Sequence, residues 1–202
     1  MVGNENKVSN YYTVSGGKIV RNYGGNAPEG IITESRINKN GNTVYEQKFD
    51  FIKGKVIAAG LKSHEEYGDN IELTISDGNS SANLQMKFDS AYGRSFLSKI
   101  PNCDFNAVLT IKPFQFTDKK TGKNVIGFSI LDPIEKVPNY YTKDDPNGLP
   151  QLKPIKLKGK DTWDNSDQLE FFMAKYLEFC DSLKNNIDVI DEEEISKDEL
   201  DF

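Results

Sequence analysis

Residues 70–89, NIELTISDGNSSANLQMKFD, decide the reading of the fold. Ile71, Leu73 and Ile75 alternate with Glu72, Thr74 and Ser76, and after Asp77-Gly78 the pattern resumes with Ala82, Leu84, Met86 and Phe88 against Asn83, Gln85 and Lys87. Alternation of apolar and polar side chains places one set on each face of a strand, so each run is a half-buried strand. The intervening Asp-Gly pair tolerates the backbone of a tight turn, which joins the two as a hairpin.

On the N-terminal side, VYEQKFDFIKGKVIAAGL (44–61) reads as one long strand interrupted by Gly54, where a bulge or sharp bend is expected. On the C-terminal side, SAYGRSFLSKI (90–100) changes period. Tyr92, Phe96 and Ile100 are spaced four apart, Ser90 is a candidate N-cap and Pro101 a stop, so a short helix is predicted. Two further alternating runs, FNAVLTIKPFQF (105–116) and VIGFSIL (125–131), flank the turn-like TDKKTGKN. The order strand, strand, strand, short helix, strand, strand is that of a mainly β, five-stranded oligonucleotide-binding (OB-fold) Greek-key barrel, with its helix between strands three and four.

The predicted barrel occupies residues 44–131. Residues 1–43 read as an N-terminal arm with short strands, in which Asn40-Gly41 marks a hairpin turn. Residues 132–166 are irregular and rich in lysine and proline. From 167 to 184, Leu169, Phe172, Met173, Tyr176, Leu177, Cys180 and Leu183 form an apolar stripe at helical spacing, with Ser166 as the expected cap. Residues 185–202 read as a disordered acidic tail, with eight carboxylates against Lys197 alone. That tail carries −7 of a total charge of −6, which leaves +1 on the rest of the chain. The body is therefore nearly neutral, with room for local basic patches.

Composition also bounds the chemistry. His64 is the single histidine, so a His/Cys zinc site lacks ligands and a histidine-based catalytic set would rest on one residue of a polar loop. Cys103 and Cys180 are the only cysteines, and the start of the chain has no apolar leader, which points to a reduced cytoplasm. No apolar run reaches the roughly 20 residues of a membrane helix. Carboxylates are plentiful but sit in no metal or acid–base motif, and no phosphate-cradling glycine fingerprint is present. No cofactor, metal or catalytic residue is expected, and the chain does not read as an enzyme.

Binding to a polyanion is the better-supported chemistry. Single-stranded nucleic acid is held by cations along its backbone and by aromatic rings against its bases. Lys112, Phe114 and Phe116 lie on the outward side of the fourth barrel strand, next to Lys119, Lys120 and Lys123. Tyr45, Lys48, Lys53 and Lys55 lie around the Gly54 bend, where periodicity leaves open whether Phe49 or Phe51 faces the core. The run LKPIKLKGK places Lys153, Lys156 and Lys158 near Trp163 as a further phosphate track. At the other end, Asp198, Glu199, Leu200, Asp201 and Phe202 form a tip in which an aromatic ring and carboxylates suit a basic-rimmed protein pocket.

The barrel order, these clusters and the tip DELDF together resemble the acidic-tailed, OB-fold single-stranded-DNA-binding proteins of podovirus-type bacteriophages. The resemblance implies a non-enzymatic coat for single-stranded DNA in replication, recombination or repair in a host cytoplasm. It also implies a tail that recruits replication partners (polymerase, helicase or primase) and competes with DNA for the groove. Self-association is compatible with it. A structural or adaptor role, with barrel and tail as docking surfaces in viral assembly, is the alternative.

Overall fold

A computed structural model describes residues 10–66, 68–157 and 159–198, with side chains up to residue 184 apart from those of 157 and 160. The chain is mainly β. The strands are β1 (Tyr11–Ser15), β2 (Lys18–Asn22), β3 (Glu34–Ile37), β4 (Thr43–Phe49), β5 (Ile52–Lys62), β6 (Asn70–Ser76) and β7 (Ser81–Lys87). Helix α1 (Ala91–Leu97) and a 3-10 turn (Ile100–Asn102) follow. Then come β8 (Leu109–Thr117), β9 (Asn124–Asp132), β10 (Glu135–Lys136), β11 (Lys153–Leu157), β12 (Lys160–Asp164) and α2 (Ser166–Asp198).

Ten strands make one sheet, in the order β10-β9-β8-β5-β6-β7-β1-β2-β4-β3, and β11 pairs with β12 separately. The hairpin read from residues 70–89 forms in register, Leu73 opposite Leu84 and Ile71 opposite Met86. Ser90 caps α1 by accepting a hydrogen bond from the Gly93 amide at 3.0 Å. The Asn40-Gly41 turn joins β3 to β4, Gly41 taking φ 77° while the Asn38 carboxamide oxygen accepts from the amides of Asn40 and Asn42.

The expected closed barrel is not formed. β5 pairs with β6 along most of its length and with β8 through residues 52–54, as a long first strand would. Closure, however, would need the outer edges of β7 and β9. The edge of β7 is taken by β1 in parallel, Tyr12 opposite Leu84, and that of β9 by β10 and by Ser95, whose hydroxyl oxygen accepts from the Phe128 amide at 2.9 Å. With these positions taken, β7 and β9 do not pair with each other and the sheet stays open. The N-terminal strands are thus part of the main sheet, and their Gly16-Gly17 turn is tied to α1 by the Gly17 amide donating to the Tyr92 hydroxyl at 2.7 Å.

Other expectations change in detail. The long strand from Val44 divides into β4 and β5 at Asp50-Phe51, and the register shift in β5 lies between Val56 and Ala58 rather than at Gly54. Gly54 instead permits a close approach, since a Cβ there would stand 2.5 Å from the Ser76 carbonyl oxygen. The segment 132–166 holds β10 and the β11–β12 hairpin, and it buries Val137 and Tyr141. Ser166 is the first residue of α2, whose start is held by Asp164 accepting from the Ser166 amide and hydroxyl at 3.0 and 2.6 Å. The helical backbone continues beyond Lys184 to Asp198, through a stretch without glycine or proline to end it.

The core joins the inner faces of the sheet to both helices. Ile71, Leu73, Leu84, Leu109, Ile111, Phe128 and Ile130 pack with Phe96 of α1 and with Phe172, Tyr176 and Phe179 of α2. Tyr176 is fully buried, and its hydroxyl lies 2.9 Å from the Gly60 carbonyl and 3.2 Å from that of Glu72, tying α2 to the β5–β6 ladder. Tyr176→Phe keeps the ring and leaves these buried carbonyls without that donor. A loss of about 1–2 kcal/mol in urea unfolding is expected, with no change in helix content by circular dichroism.

Candidate nucleic-acid interface

The pleat sorts β8 into two faces. Leu109, Ile111 and Pro113 are buried, so Thr110, Lys112, Phe114 and Phe116 lie on the opposite side. Register then brings neighbours to that side: Lys53 opposite Thr110, Ser129 opposite Lys112, Gly127 opposite Phe114 and Val125 opposite Phe116. Phe116 is 55% exposed, and its ring centroid lies 5.8 Å from that of half-buried Phe114 with a 36° tilt. Gly127 makes room for this arrangement, because a Cβ there would stand 3.0 Å from Phe114 Cζ and 2.7 Å from Ser95 Oγ.

The β8–β9 turn carries Lys119, Lys120 and Lys123, all exposed. Asp118 shapes it: its carbonyl accepts from the Gly122 amide at 2.8 Å, and its carboxylate accepts from the amides of Lys120 and Thr121 at 2.7 and 3.2 Å. Among the described residues no carboxylate forms a salt bridge with Lys53, Lys55, Lys112 or these turn lysines. Lys112 acts at longer range on Asp50, whose carboxyl is held below its ordinary range first by the hydrogen bond and charge of Lys18, 2.6 Å away. The result is a cationic face around two aromatic rings, which suits a strand of phosphates and bases.

Apart from Lys55, which shares a face of β5 with Lys53, the remaining predicted residues are placed away from this face or outside the described residues. Tyr45 and Lys48 sit on opposite faces of β4, which is separated from β5 by β6, β7, β1 and β2 in the sheet. Lys48 pairs with Glu34 at 2.6 Å. Lys55 lies on β5, half-buried and opposite Ser76. Phe49 packs edge-on to Tyr12 at 5.8 Å, whereas Phe51 is exposed. Phe51 lines a groove of about 290 Å³ together with Lys53, Tyr12 and Phe49. Lys153 is drawn to Asp167 at 2.5 Å, and Lys156 stands opposite Asp161 in the hairpin register. Lys158 lies outside the described residues, as do Glu199, Leu200, Asp201 and Phe202, while Asp198 is the last residue of α2.

Sequence reading missed a second aromatic and cationic group. The Arg21 guanidinium carbon lies 5.9 Å from the Tyr12 ring centroid and 5.1 Å from that of Tyr23, whose hydroxyl donates to Gln47 Oε1 at 2.9 Å. The available signal is Tyr12, Arg21 and Tyr23 within the short strands expected of the N-terminal arm. Exposed Trp163 lies opposite Pro154 in the β11–β12 register.

Among the described residues, no group of three or more His, Cys, Asp or Glu side chains is placed to hold a metal ion. Burial, with Asp132 adding to it, pushes the Cys103 thiol up to about 12, which makes it a packing group rather than a nucleophile. No helix among the described residues is long and apolar enough to cross a membrane. Comparison with protein-family models, with curated proteins and with solved structures finds no match to this chain.

Proposed function

We propose that the chain is a sequence-tolerant single-stranded-DNA-binding protein of replication, recombination or repair, working without catalysis in a host cytoplasm. The observation that carries this reading is exposed Phe116 against half-buried Phe114 on the same strand face as Lys53 and Lys112, beside a turn of lysines that form no ion pairs among the described residues. Cations would track the backbone and the rings would take bases, so neither contact demands a particular sequence. The connectivity β5-β6-β7-α1-β8-β9 supports an opened variant of the OB fold, with β1 lying where a closing strand would pair.

The acidic residues beyond Lys184 complete the proposal. They repel DNA, can compete for the same lysines, and with Leu200 and Phe202 offer replication proteins such as a polymerase, helicase or primase an apolar and anionic ligand. Fluorescence anisotropy with labelled oligo-dT tests both parts. Affinity is expected to fall with salt at a log–log slope of about −0.7 per phosphate contacted. Deleting residues 185–202 is expected to tighten binding severalfold at low salt and to have little effect at high salt, where the Debye length shrinks to a few ångströms, roughly 3 Å at 1 M. No binding by the deleted form at low salt would exclude the reading.

A further inference from the structure

Behind the Phe114–Phe116 face lies a cavity of about 490 Å³ between α1, the β8–β9 hairpin and the segment after β10. Arg94, Lys99 and Lys136 line it, and none of its lining residues is acidic. Arg94 already pairs with Asp89 at 2.7 Å. Neither Lys99 nor Lys136 has a carboxylate partner in a salt bridge among the described residues.

Lys99 is the unusual member. It is only 6% exposed, and its ammonium donates to the side-chain oxygen of Asn139. The backbone holds this arrangement, since the Tyr140 amide donates to the Ser98 carbonyl at 2.7 Å and so ties the Asn139 segment to the end of α1. Burial, and then the like charge of Lys136, push the Lys99 ammonium below its ordinary range. A buried cation next to a second cation, with only a neutral partner, is costly unless an anion joins them. Phe114 forms one wall, so the cavity adjoins the stacking face directly.

We infer that this cavity is a phosphate site, in which Lys99 and Lys136 hold a phosphate of the same single strand whose bases stack on Phe114 and Phe116. The inference rests on the nucleic-acid reading for its occupant and on the cavity alone for its chemistry. A phosphodiester carries the charge the two ammonium groups lack, and the neighbouring ring gives the attached nucleoside a surface. The site would turn the strand from the exposed face toward α1 and fix its path.

The full-length protein, with exposed Lys136→Gln as the main variant, buried Lys99→Met as the second and exposed Lys143→Gln as a charge control, tests this in two measurements. In the first, inorganic pyrophosphate is titrated while backbone amide resonances are followed. Shifts at Lys99, Lys136 and Asn139 in the wild type, lost in Lys136→Gln and kept in Lys143→Gln, are expected. In the second, oligo-dT with and without a 5′-phosphate is bound over a range of salt. Lys136→Gln is expected to lower the magnitude of the log–log slope by about 0.7 and to weaken low-salt binding on the order of threefold. Equal losses on both oligonucleotides indicate an internal phosphodiester, and a loss confined to the phosphorylated one a strand end. Pyrophosphate shifts that persist in both cavity variants, together with unchanged slopes, would overturn the phosphate site while leaving strand binding intact. Loss of the shifts in a protein that binds no oligo-dT would uphold the anion site and overturn the strand as its occupant.

Discussion

Phe116→Ala is expected to weaken binding to oligo-dT by roughly 5- to 160-fold, the range that corresponds to about 1–3 kcal/mol for one stacked base. Phe116 is more than half exposed and is not part of the buried core, so its truncation should leave the melting temperature nearly unchanged. Counterion release supplies a second discriminator. An aromatic ring displaces no counterions, so the salt slope of Phe116→Ala should match the wild type, whereas Lys112→Gln should flatten it by about one phosphate. Phe116→Trp restores a π surface and is expected to restore affinity. Unchanged affinity in Phe116→Ala, with the protein folded, would remove the strand face around β8 from any binding site.

The parts legible in the sequence are those set by neighbours along the chain. Alternation in residues 70–89 fixes the β6–β7 pairing, and Ser90 fixes where α1 begins, because both depend on contacts within a few residues. Phe114, Phe116 and the lysine turn were visible for the same reason: one pleat and one turn place them. Closure of the barrel was not. It depends on whether β1, far away in sequence, reaches the edge of β7, and YYTVS carries too little pattern to announce a parallel pairing with Asn83 to Gln85. Charge suffers similarly. Lys48 and Lys153 look like free phosphate contacts until Glu34 and Asp167 are seen beside them. Lys99 and Lys136, by contrast, meet only because α1 and β10 converge, so no local motif marks the cavity they share.

Gly54→Val is expected to destabilise the fold by about 3 kcal/mol or more, read as a lower urea midpoint. At this position β5 changes partners: residues 52–54 face β8, and residues from Lys55 onward face β6. The bend presses the Gly54 backbone against β6, leaving an added Cβ 2.5 Å from Ser76 O, 2.7 Å from Ile75 Cγ2 and 2.9 Å from the Ser76 carbonyl carbon. Two of these atoms are backbone and cannot rotate away, so the strands must separate. Gly54 has no positive φ, which makes room rather than conformational freedom the reason for glycine here. Ala is therefore expected to cost less than Val but still about 1–3 kcal/mol, a grading that a purely conformational role would not produce. The same bend sets Lys53 beside β8, on the face that carries Lys112 and Phe114, so in a folded Gly54→Ala protein a displaced Lys53 should weaken oligo-dT binding at low salt more than at high salt. An unchanged urea midpoint in Gly54→Val would mean that β5 reaches both partners without this close approach, and the placement of Lys53 on the proposed interface would fall with it.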